Sequence, residues 1–478
     1  MCGIAGALAL PGSTRPIDEP SLTRMRERLA HRGPDGRGTW VSPDGRVGLA
    51  HRRLAIIDLS PAADQPMATE DERFWICFNG EIYNHAALRE SLEELGEGAW
   101  RTDHSDTEVA LRAFRRWGIE CLDRLHGMFA LAIWDARERS LLLARDRVGI
   151  KPLYYSLRPR RFTFASEIKA LLEDPEQQRA IDEEAFLDLL SFLTTPAPRT
   201  LFRGICKLPA GHWLRIDDEG RIEERCWWDP LERAEPLAGV GEEEVAERVL
   251  ERLREAVALR KVSDVPVGVF LSGGIDSSTN AALFSEGETR PVRTFSIGYD
   301  RNYESYTNEL VHAREAARQV GAEHHERILS ADDLLEFLPE MVDLQDEPIA
   351  DPVCVPVYYV SRLAREHGVK VCQVGEGADE LFWGYPAWKR ALALERWNRV
   401  PVPRTLKRGG LAALRLLGRD QTRYYEWLRR GSAGEAVFWG GAEGFTEAQK
   451  ARIIAPRLRE AFAGRPTWLV LEPHRKRF

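Results

Sequence analysis

The feature that most constrains the fold of this chain is a change of pattern on either side of residues 229–243. Before this segment, short apolar runs such as "VGLAH" and "MFALAIWD" are separated by turn residues, which is typical of β-strands. After it, apolar strand patterns alternate with helical patterns up to about residue 375, which is typical of βαβ units. The segment itself is rich in proline, glycine and acidic residues, and it predicts a linker.

The two halves therefore predict two fold classes in one chain of 478 residues. Two helical patterns, "AALRESLEELG" and "DTEVALRAFRRWG", interrupt the strands of the first half and indicate a layered α+β domain. The second half predicts an α/β domain with a parallel sheet, followed by extra helices in the last hundred residues. We expect a first domain over residues 1–205, a connecting segment and linker over 206–243, and a second domain over 244–478.

Composition excludes several classes of function. The chain has 67 Lys and Arg against 75 Asp and Glu, a formal net charge of −8, which argues against nonspecific attraction to nucleic acid or to anionic membranes. Its 7 cysteines include no C-x-x-C pair, so neither a disulfide framework nor a structural zinc site is indicated. Without a secretion signal or a run of about 18 apolar residues, we expect a cytoplasmic protein that acts on small molecules.

The loop "SGGIDSS" at 272–278 follows an apolar strand pattern that ends at Leu271. Its glycines let backbone N–H groups approach an anion, and the predicted helix after it adds a positive N-terminus. The spacing is neither G-x-x-x-x-G-K nor G-x-G-x-x-G, but open α/β sheets bind ligands at such strand ends. We predict a phosphate or pyrophosphate site with Mg²⁺ beside Asp276; the alternative is an ordinary turn that caps a helix.

A second acidic loop, "VGEGADE", follows another apolar strand pattern about a hundred residues later. The carboxyl ends of parallel strands meet at one edge of a sheet. We therefore expect Glu376, Asp379 and Glu380 to lie over the same edge as residues 272–278. Asp379 could then share the metal ion with Asp276. The alternative interpretation is a solvated acidic loop.

Cys2, in the opening run "MCGIAG", becomes the N-terminal residue if Met1 is removed. An α-amine has a reference pKa of about 7.7–8.0, so it can act as a general base for the thiol that it neighbours. The small residues that follow allow close backbone packing. Cys2 is therefore a candidate nucleophile, and the alternative is a disordered terminus with an incidental thiol.

Such a nucleophile needs groups that stabilise an oxyanion and groups that hold the substrate. In "FNGEIYN", the Asn79 side-chain amide and the Gly80 backbone N–H are candidate oxyanion donors at the end of a strand. Arg53 and Asp106 carry opposite charges, which suit the carboxylate and the ammonium group of an amino acid.

The motifs occur in the order found in a known family, and the resemblance covers nearly all of residues 1–390. The first half resembles the class II glutamine amidotransferase domain through "MCGIAG", "HRGPDGRG", "AHRRLAIIDLS", "FNGEIYNH", "SDTE", "MFALAIWD", "ARDRVGIKPLYY" and "FASEIKAL". The second half resembles the synthetase domain of glutamine-hydrolysing asparagine synthetases through "SGGIDSS", "TFSIGY", "GAEHHE" and "GEGADE".

For the first half, the resemblance implies an N-terminal-nucleophile domain with an αββα arrangement. Cys2 would attack the side-chain amide of glutamine, form a thioester and release ammonia, with Asn79 and Gly80 as the oxyanion hole. The residues implied to bind glutamine are Arg53, Glu81 and Asp106.

For the second half, the resemblance implies a PP-loop nucleotide-binding domain that adenylates aspartate with ATP and releases pyrophosphate. Ammonia would reach the acyl-adenylate through an interior passage, with Glu376 as the base and Mg²⁺ held by Asp276 and Asp379. The resemblance also implies a homodimer. The residues assigned to ATP or pyrophosphate are Leu271, Ser272, Gly273, Gly274, Asp276, Ser277, Ser278 and Gly375.

The chain departs from the asparagine-making members in two places. The stretch "DEPIADPVCVP" at 346–356 stands where those members carry a threonine- and arginine-bearing stretch. A distal segment with a lysine-aspartate-arginine cluster has no counterpart before Phe478, so we expect the distal part of the synthetase domain to be incomplete.

Three functions follow from these patterns. The first is glutamine-dependent amidation of aspartate to asparagine. The second keeps this mechanism and uses another carboxylate, for instance a sugar uronic acid in surface polysaccharide synthesis. The third is a glutaminase or binding protein whose synthetase half is impaired.

Overall fold

The computed structural model describes residues 1–301, 309–349, 351–398, 403–438, 441, 443–465 and 467–475. The chain forms two compact units, each assembled from several segments. The strands of the βαβ half belong to the same unit as the strand-rich first half. The first unit comprises Met1–Arg179, Gly204–Asp346 and Val355–Val374, and the second comprises Ala180–Arg203, Glu347–Cys354 and Gly375–Phe478.

The strand-rich half contains the strands and the two helices that the sequence predicts, together with further strands and helices that it did not indicate. In chain order these are β1 (Gly3–Ala9), α1 (Glu19–Glu27), β2 (Gly36–Val41), β3 (Val47–Arg53), β4 (Met67–Ala68), β5 (Phe74–Ile82), α2 (His85–Glu94), α3 (Asp106–Trp117), α4 (Cys121–Arg124), β6 (Gly127–Asp135), β7 (Ser140–Arg145), β8 (Tyr154–Arg158), β9 (Arg161–Ala165), α5 (Ile168–Leu171), α6 (Glu183–Phe192), β10 (Cys206–Lys207), β11 (His212–Asp217), β12 (Ile222–Cys226) and α7 (Pro230–Arg233).

The strands of the first unit up to residue 226 form two antiparallel sheets of six strands, ordered β10-β8-β9-β1-β3-β2 and β12-β11-β7-β6-β5-β4. Apolar residues from the facing sides of both sheets pack between them, as expected for a sandwich core. Ile4 and Leu49 from the first sheet and Ala132 and Leu143 from the second belong to this core.

Helices cover the outer faces of the two sheets. Leu22 and Met25 of α1 are buried, and α1 packs against β1 and β3 of the first sheet. On the second sheet, Val109 of α3 shares a core cluster with Phe78 of β5. Gly118 ends α3 with a φ of 59°, a conformation that glycine adopts without strain. The layers therefore run helix, sheet, sheet, helix, which confirms the αββα fold class.

The later part of the first unit is a parallel sheet of order β15-β14-β13-β16. Val269 and Phe270 are adjacent on β13 and pack against different core clusters, so helices cover both faces of the sheet. This confirms the predicted α/β class. The elements are α8 (Glu242–Leu259), β13 (Val267–Phe270), α9 (Ile275–Ser285), β14 (Arg293–Tyr299), α10 (Leu310–Gln319), β15 (Glu323–Leu329), α11 (Ala331–Leu344), α12 (Cys354–Glu366) and β16 (Val371–Gln373).

The antiparallel sandwich and the parallel-sheet part make direct polar contacts within the first unit. The Asp264 N–H donates to the Ile56 carbonyl at 2.9 Å, and the Asp58 N–H donates to the Asp264 carboxylate at 2.7 Å. The Lys370 ammonium donates to the Asp35 carboxylate at 3.0 Å.

The second unit is mainly helical, as predicted for the last hundred residues. Its interior contains hydrogen-bonded polar side chains. For example, the buried Lys450 ammonium donates to Ser191 Oγ at 2.8 Å. Among the described residues of the whole chain, no helix combines the length and the apolar character needed to cross a membrane. Besides α6, the helices of the second unit are α13 (Ala378–Phe382), α14 (Pro386–Asn398), α15 (Arg404–Leu416), α16 (Arg423–Ala433), α17 (Glu447–Ile453), α18 (Pro456–Ala461) and α19 (Glu472–Arg475).

Candidate active site

A pocket in the first unit brings together every residue that the sequence assigned to the glutamine-handling half. These residues come from the start of β1, the end of β3, β5 and the first turn of α3, which are far apart in the chain. The pocket also contains several residues that the sequence analysis did not single out. Its lining is Met1, Cys2, Arg53, Leu54, Ile56, Ile57, Ala63, Gln65, Phe78, Asn79, Gly80, Glu81, Ser105, Asp106, Thr107 and Lys151.

Cys2 immediately precedes β1, so the central position of that strand in the first sheet fixes where the thiol lies. The Leu54 N–H donates to Cys2 Sγ at 3.4 Å, and the thiol lies 3.6 Å from the Leu54 carbonyl oxygen. Burial raises the pKa of the Cys2 thiol, and the hydrogen bond from Leu54 opposes this shift. The thiol is therefore held in place but needs a base to become a nucleophile at neutral pH.

Asn79 on β5 is the most unusual polar group of the pocket. Its side chain is 1% exposed, and neither its amide nitrogen nor its amide oxygen has a hydrogen-bond partner in the described part of the chain. A buried amide without partners is costly, so such groups in native proteins call for an explanation. A ligand oxygen bound in the pocket would accept the missing hydrogen bond.

The register of β5 places the Gly80 N–H beside Asn79. The Tyr83 N–H donates to the carbonyl oxygen of His126, next to β6. Backbone N–H groups alternate in direction along a strand, so those of Phe78, Gly80 and Ile82 face the opposite edge of β5. Side chains accept from two of these three N–H groups: Gln65 Oε1 accepts from Phe78 at 2.6 Å, and Asp106 Oδ2 accepts from Ile82 at 3.0 Å.

Gly80 is thus the middle donor of these three, and no described residue accepts from its N–H. A Cβ on Gly80 would lie 2.3 Å from the Met128 carbonyl oxygen, so a side chain cannot replace the glycine without moving the neighbouring strand. The Asn79 amide and the Gly80 N–H together form a pair of adjacent donors at the edge of β5, which is the composition of an oxyanion hole.

Arg53 ends β3, and its guanidinium is held by the loop that follows. It donates to the Ser60 carbonyl at 2.9 Å, to Asp64 Oδ1 at 2.8 Å and to the Asp58 carbonyl. These bonds use only part of the five donors of an arginine, so the remaining N–H groups are available to a ligand carboxylate in the pocket.

Glu81 and Asp106 provide two buried carboxyl groups. Burial raises the pKa of Glu81 to about 7, and the nearby Lys151 ammonium opposes this shift. Burial also raises the pKa of Asp106 to about 6, opposed by the hydrogen bond from the Ile82 N–H. A bound ammonium group would stabilise the charged form of both carboxyls, so the pair suits the α-amine of an amino acid.

Lys151 is a pocket residue that the sequence analysis missed. It is 5% exposed, and burial lowers the pKa of its ammonium group, which the charge of Glu81 opposes. The turn that carries it is built around the buried carboxylate of Asp146, which accepts from the N–H groups of Val148, Ile150 and Lys151 at 2.9–3.2 Å. The signal for it was the run "ARDRVGIKPLYY", which we used only as part of the resemblance.

The loop 272–278 joins β13 to α9, as predicted. Gly273 has a φ of +85°, which favours glycine. A Cβ at this position would also lie 2.7 Å from the Ala313 nitrogen in the first half of α10, so a side chain does not fit. The hydroxyl of Ser277 contacts Ser272 Oγ at 2.9 Å and donates to the Gly274 carbonyl at 3.2 Å. Ser277 therefore supports the shape of the loop, while the first N–H groups of α9 lack helical acceptors.

Asp276 lies in the first turn of α9 and is half-buried. Its carboxylate has no hydrogen bond or ion pair to any described residue, so both oxygens are available. Carboxylate oxygens are the ligands that Mg²⁺ prefers, so this donor fits the ion. In the described part of the chain, no three His, Cys, Asp or Glu side chains are grouped to hold a metal.

The second acidic loop lies in the second unit. Gly375 and Glu376 precede Gly377, whose φ of 90° starts the short helix α13. Asp379 in α13 packs against Gly384, where an added Cβ would lie 1.8 Å from Asp379 Oδ1. Glu380 is exposed and accepts a hydrogen bond from the Tyr385 hydroxyl at 2.8 Å; the exposed carboxylate of Glu376 has no described partner.

Two protein-family models match the chain, one over each half. A model described as a glutamine amidotransferase domain matches residues 1–228. A model described as asparagine synthase matches residues 248–460. The pocket around Cys2 lies within the first match, and both the loop 272–278 and the second acidic loop lie within the second.

The chain is similar over most of its length to curated proteins. It is 38% identical to glutamine-hydrolysing asparagine synthetase 1 of Bacillus subtilis, over 84% of this chain and 61% of the relative. A provisionally named glutamine-hydrolysing asparagine synthetase of Mycobacterium tuberculosis is 37% identical, over 98% of this chain and 72% of the relative. An amidase of Gibberella zeae is 32% identical, over 81% of this chain and 60% of the relative. The chain thus spans about three fifths of the Bacillus relative's length.

Proposed function

Because the chain belongs to the family of glutamine-hydrolysing asparagine synthetases, we propose that it releases ammonia from glutamine at Cys2 and uses ATP to amidate a carboxylate, aspartate in the first instance. The observation that carries the proposal is the pocket in which a thiol, an unpartnered amide and two buried carboxyls meet. Residues 1–205 would form the glutaminase domain and residues 244–478 the synthetase domain, joined by 206–243.

The first reaction starts at Cys2 once Met1 has been removed. The α-amine takes the proton of the thiol, and the sulfur forms a bond to the side-chain amide carbon of glutamine. The carbonyl oxygen becomes an oxyanion, which the Asn79 amide and the Gly80 N–H stabilise. The amine then passes its proton to the departing nitrogen, the carbon-nitrogen bond breaks, and ammonia leaves a thioester that water hydrolyses to glutamate.

The charged groups of the pocket would hold the amino-acid end of glutamine. The free donors of Arg53 suit the α-carboxylate, and the carboxyls of Glu81 and Asp106 suit the α-amine. Because these three side chains lie on different elements, they would contact the substrate at several points and orient its amide toward Cys2.

The second reaction would take place at the strand-end loops of the other half. The acceptor carboxylate attacks the α-phosphorus of ATP, which gives an acyl-adenylate and pyrophosphate. Ammonia then forms a bond to the acyl carbon, and the bond to AMP breaks. The pyrophosphate would bind loop 272–278 with Leu271, where N–H groups at the start of α9 are available. The family resemblance implies the same role for Gly375.

Mg²⁺ would be held by Asp276, and it would neutralise phosphate charge when bound. The family resemblance of the motif "GEGADE" implies the same role for Asp379. Glu376 would take a proton from the attacking ammonia, because its carboxylate is exposed and has no described partner.

A carboxylate other than aspartate is the second candidate acceptor, such as a sugar uronic acid. The Gibberella relative is named an amidase, so related chains are not all named for asparagine. In the stretch 346–356, the Asp346 carboxylate accepts from Ile168 and the Glu347 carboxylate accepts from Thr195; Ala350 lies outside the described residues. Because both side chains are acidic, neither provides a basic group that could bind the α-carboxylate of aspartate.

Pyrophosphate release from ATP and Mg²⁺, with ammonia supplied directly, tests the synthetase half without the glutaminase half. We expect release that depends on aspartate. Release with uronic acids but not with aspartate would move the assignment to the second acceptor. No release with any carboxylate, together with glutamine hydrolysis, would show an impaired synthetase and contradict the ATP-dependent half of the proposal.

Replacing Asn79 by Ala tests the oxyanion assignment. We expect kcat for glutamine hydrolysis to fall about 10²–10³-fold with little change in KM, because the amide would act mainly on the transition state. The thermal midpoint should stay the same or rise, since the amide has no partners to lose. Asn84→Ala is the matched control, because Asn84 donates to the Arg124 carbonyl outside the pocket. Equal kcat in Asn79→Ala and the native chain would contradict the role.

A further inference from the structure

Glu167, just before α5, is a largely buried carboxylate between three basic side chains, and the proposed reaction does not use it. One carboxylate oxygen accepts from Arg32 at 2.7 Å and lies 3.0 Å from His31 Nε2. The other accepts from the Lys169 ammonium at 2.8 Å. Burial alone would raise the pKa of Glu167, but His31, Arg32 and Lys169 together lower it to about 2. The carboxylate is therefore charged at any physiological pH.

Arg32 connects this carboxylate directly to the nucleophile. While one of its terminal nitrogens binds Glu167, its Nε donates to the carbonyl oxygen of Cys2 at 2.9 Å. The start of β1 is held from the same side, because Ile4 N–H donates to Ser166 Oγ at 3.0 Å and Ser166 N–H donates to the Ile4 carbonyl. The backbone of Cys2 is thus fixed by residues 166 and 167.

Backbone orientation matters more for Cys2 than for an ordinary catalytic side chain. In an N-terminal nucleophile, the thiol and the α-amine base are both attached to the same Cα. A rotation of the peptide plane of Cys2 therefore moves the nucleophile and its base together relative to the oxyanion donors. A misplacement of about 1 Å can cost about a hundredfold in rate.

The same charges continue to the end of α11 in the parallel-sheet part of the first unit. The Lys169 ammonium also donates to the Leu344 carbonyl at 2.9 Å and lies 3.3 Å from Asp346 Oδ1. In return, the Asp346 carboxylate accepts from the N–H groups of Ile168 at 2.5 Å and Lys169 at 3.1 Å. The side chains of Lys169 and Asp346 are 11% and 9% exposed, so solvent screens these contacts only weakly.

We propose that Glu167 is a positioning residue for Cys2: through Arg32 it sets the backbone of the nucleophile, and through Lys169 it fixes that backbone to residues 344–346. The inference rests on the proposed glutaminase reaction. Without the carboxylate, Arg32 would be a buried cation without a partner and would leave the Cys2 carbonyl. The effect is on catalysis rather than on substrate binding, because none of these side chains lines the pocket.

A comparable ion-pair cluster elsewhere in the first unit supplies the control. The Asp174 carboxylate is 3% exposed and binds Arg158 at 2.5 Å and Arg161 at 3.0 Å, with no contact to Cys2. Asp174→Asn and Glu167→Gln each remove one buried negative charge from between cations. Their effects on the thermal midpoint should therefore be similar, whereas only Glu167→Gln should act on Cys2.

The experiment measures kcat and KM for glutamine hydrolysis in both variants. It also measures the rate at which iodoacetamide alkylates Cys2 between pH 6 and 9, with the site identified by mass spectrometry. In Glu167→Gln we expect kcat to fall about ten- to hundredfold with KM nearly unchanged, and the pH profile of Cys2 alkylation to shift. Asp174→Asn should keep kcat, KM and the alkylation profile of the native chain.

A second pair of variants, at Lys169, tests the proposal even if Glu167→Gln does not fold. Lys169→Met should lower kcat severalfold, and Lys169→Arg should restore it because it keeps the cation. Native kcat and a native alkylation profile in Glu167→Gln or Lys169→Met would overturn the positioning role. Absence of glutamine hydrolysis in the native chain would instead overturn the proposed function, and the alkylation profile would still report on the role of Glu167.

Discussion

Replacing Cys2 by Ala should abolish glutamine hydrolysis, with a loss of at least about 10³-fold, because no other group in the pocket can form the thioester. Two other cysteines of this half, Cys77 on β5 and Cys121 on α4, are buried in core clusters and do not line the pocket. Ammonia released from glutamine is measured directly. Pyrophosphate release with supplied ammonia should persist, because it bypasses this pocket.

Cys226→Ala is the matched control for the loss of a thiol. Cys226 is an exposed cysteine on β12, in the same unit, and it lies outside the pocket. We expect native activity in this variant with both glutamine and ammonia. Substantial glutamine hydrolysis by Cys2→Ala would contradict the nucleophile assignment, and so would a mass spectrum in which the active protein retains Met1.

Replacing Asp276 by Asn should remove ATP-dependent pyrophosphate release while glutamine hydrolysis continues. We expect a loss of about 10³-fold, roughly 4 kcal/mol, because a neutral amide is a much weaker ligand for Mg²⁺ than a carboxylate. The shape of the loop should be unchanged, since Asp276 has no described protein partner to lose. Titration with Mg²⁺ should show whether a higher concentration restores part of the activity.

Asp332→Asn gives the corresponding control in the same sheet. Asp332 also lies in the first turn of a helix that follows a parallel strand, and it is exposed. Its replacement removes the same charge from an equivalent position and should leave pyrophosphate release unchanged. Equal activity of Asp276→Asn and the native chain would contradict the metal assignment.

The order and type of the secondary structure elements could be predicted because the signals are local. Runs such as "MFALAIWD" are short, apolar and bounded by turn residues, which indicates a buried strand, and β6 forms there. The switch to strands that alternate with helices after residue 243 predicted the parallel sheet of β13 to β16. The family assignment from the motifs is confirmed by the two family models and by relatives at 37–38% identity.

The sequence also named the polar residues around Cys2, but not what each one does in the pocket. It placed Asn79 and Gly80 together, yet only the pairing of β5 with β6 shows that the Gly80 N–H faces away from β6. It did not single out Lys151 or Arg32, which are 149 and 30 residues from Cys2 in the chain. Their roles depend on which distant segments fold against β1.

The sequence by itself determined the two fold classes, their order and the identity of the candidate nucleophile, because hydrophobic periodicity and motif spacing are properties of neighbouring residues. Only the tertiary structure decided which donors remain free for a ligand and which charges surround the thiol. Strand register assigns every backbone N–H to a partner or to the pocket, and burial alters the pKa of each carboxyl. Both are set by contacts between segments far apart in the chain, as in the bond from Arg32 to Cys2 and the ion pair from Arg32 to Glu167.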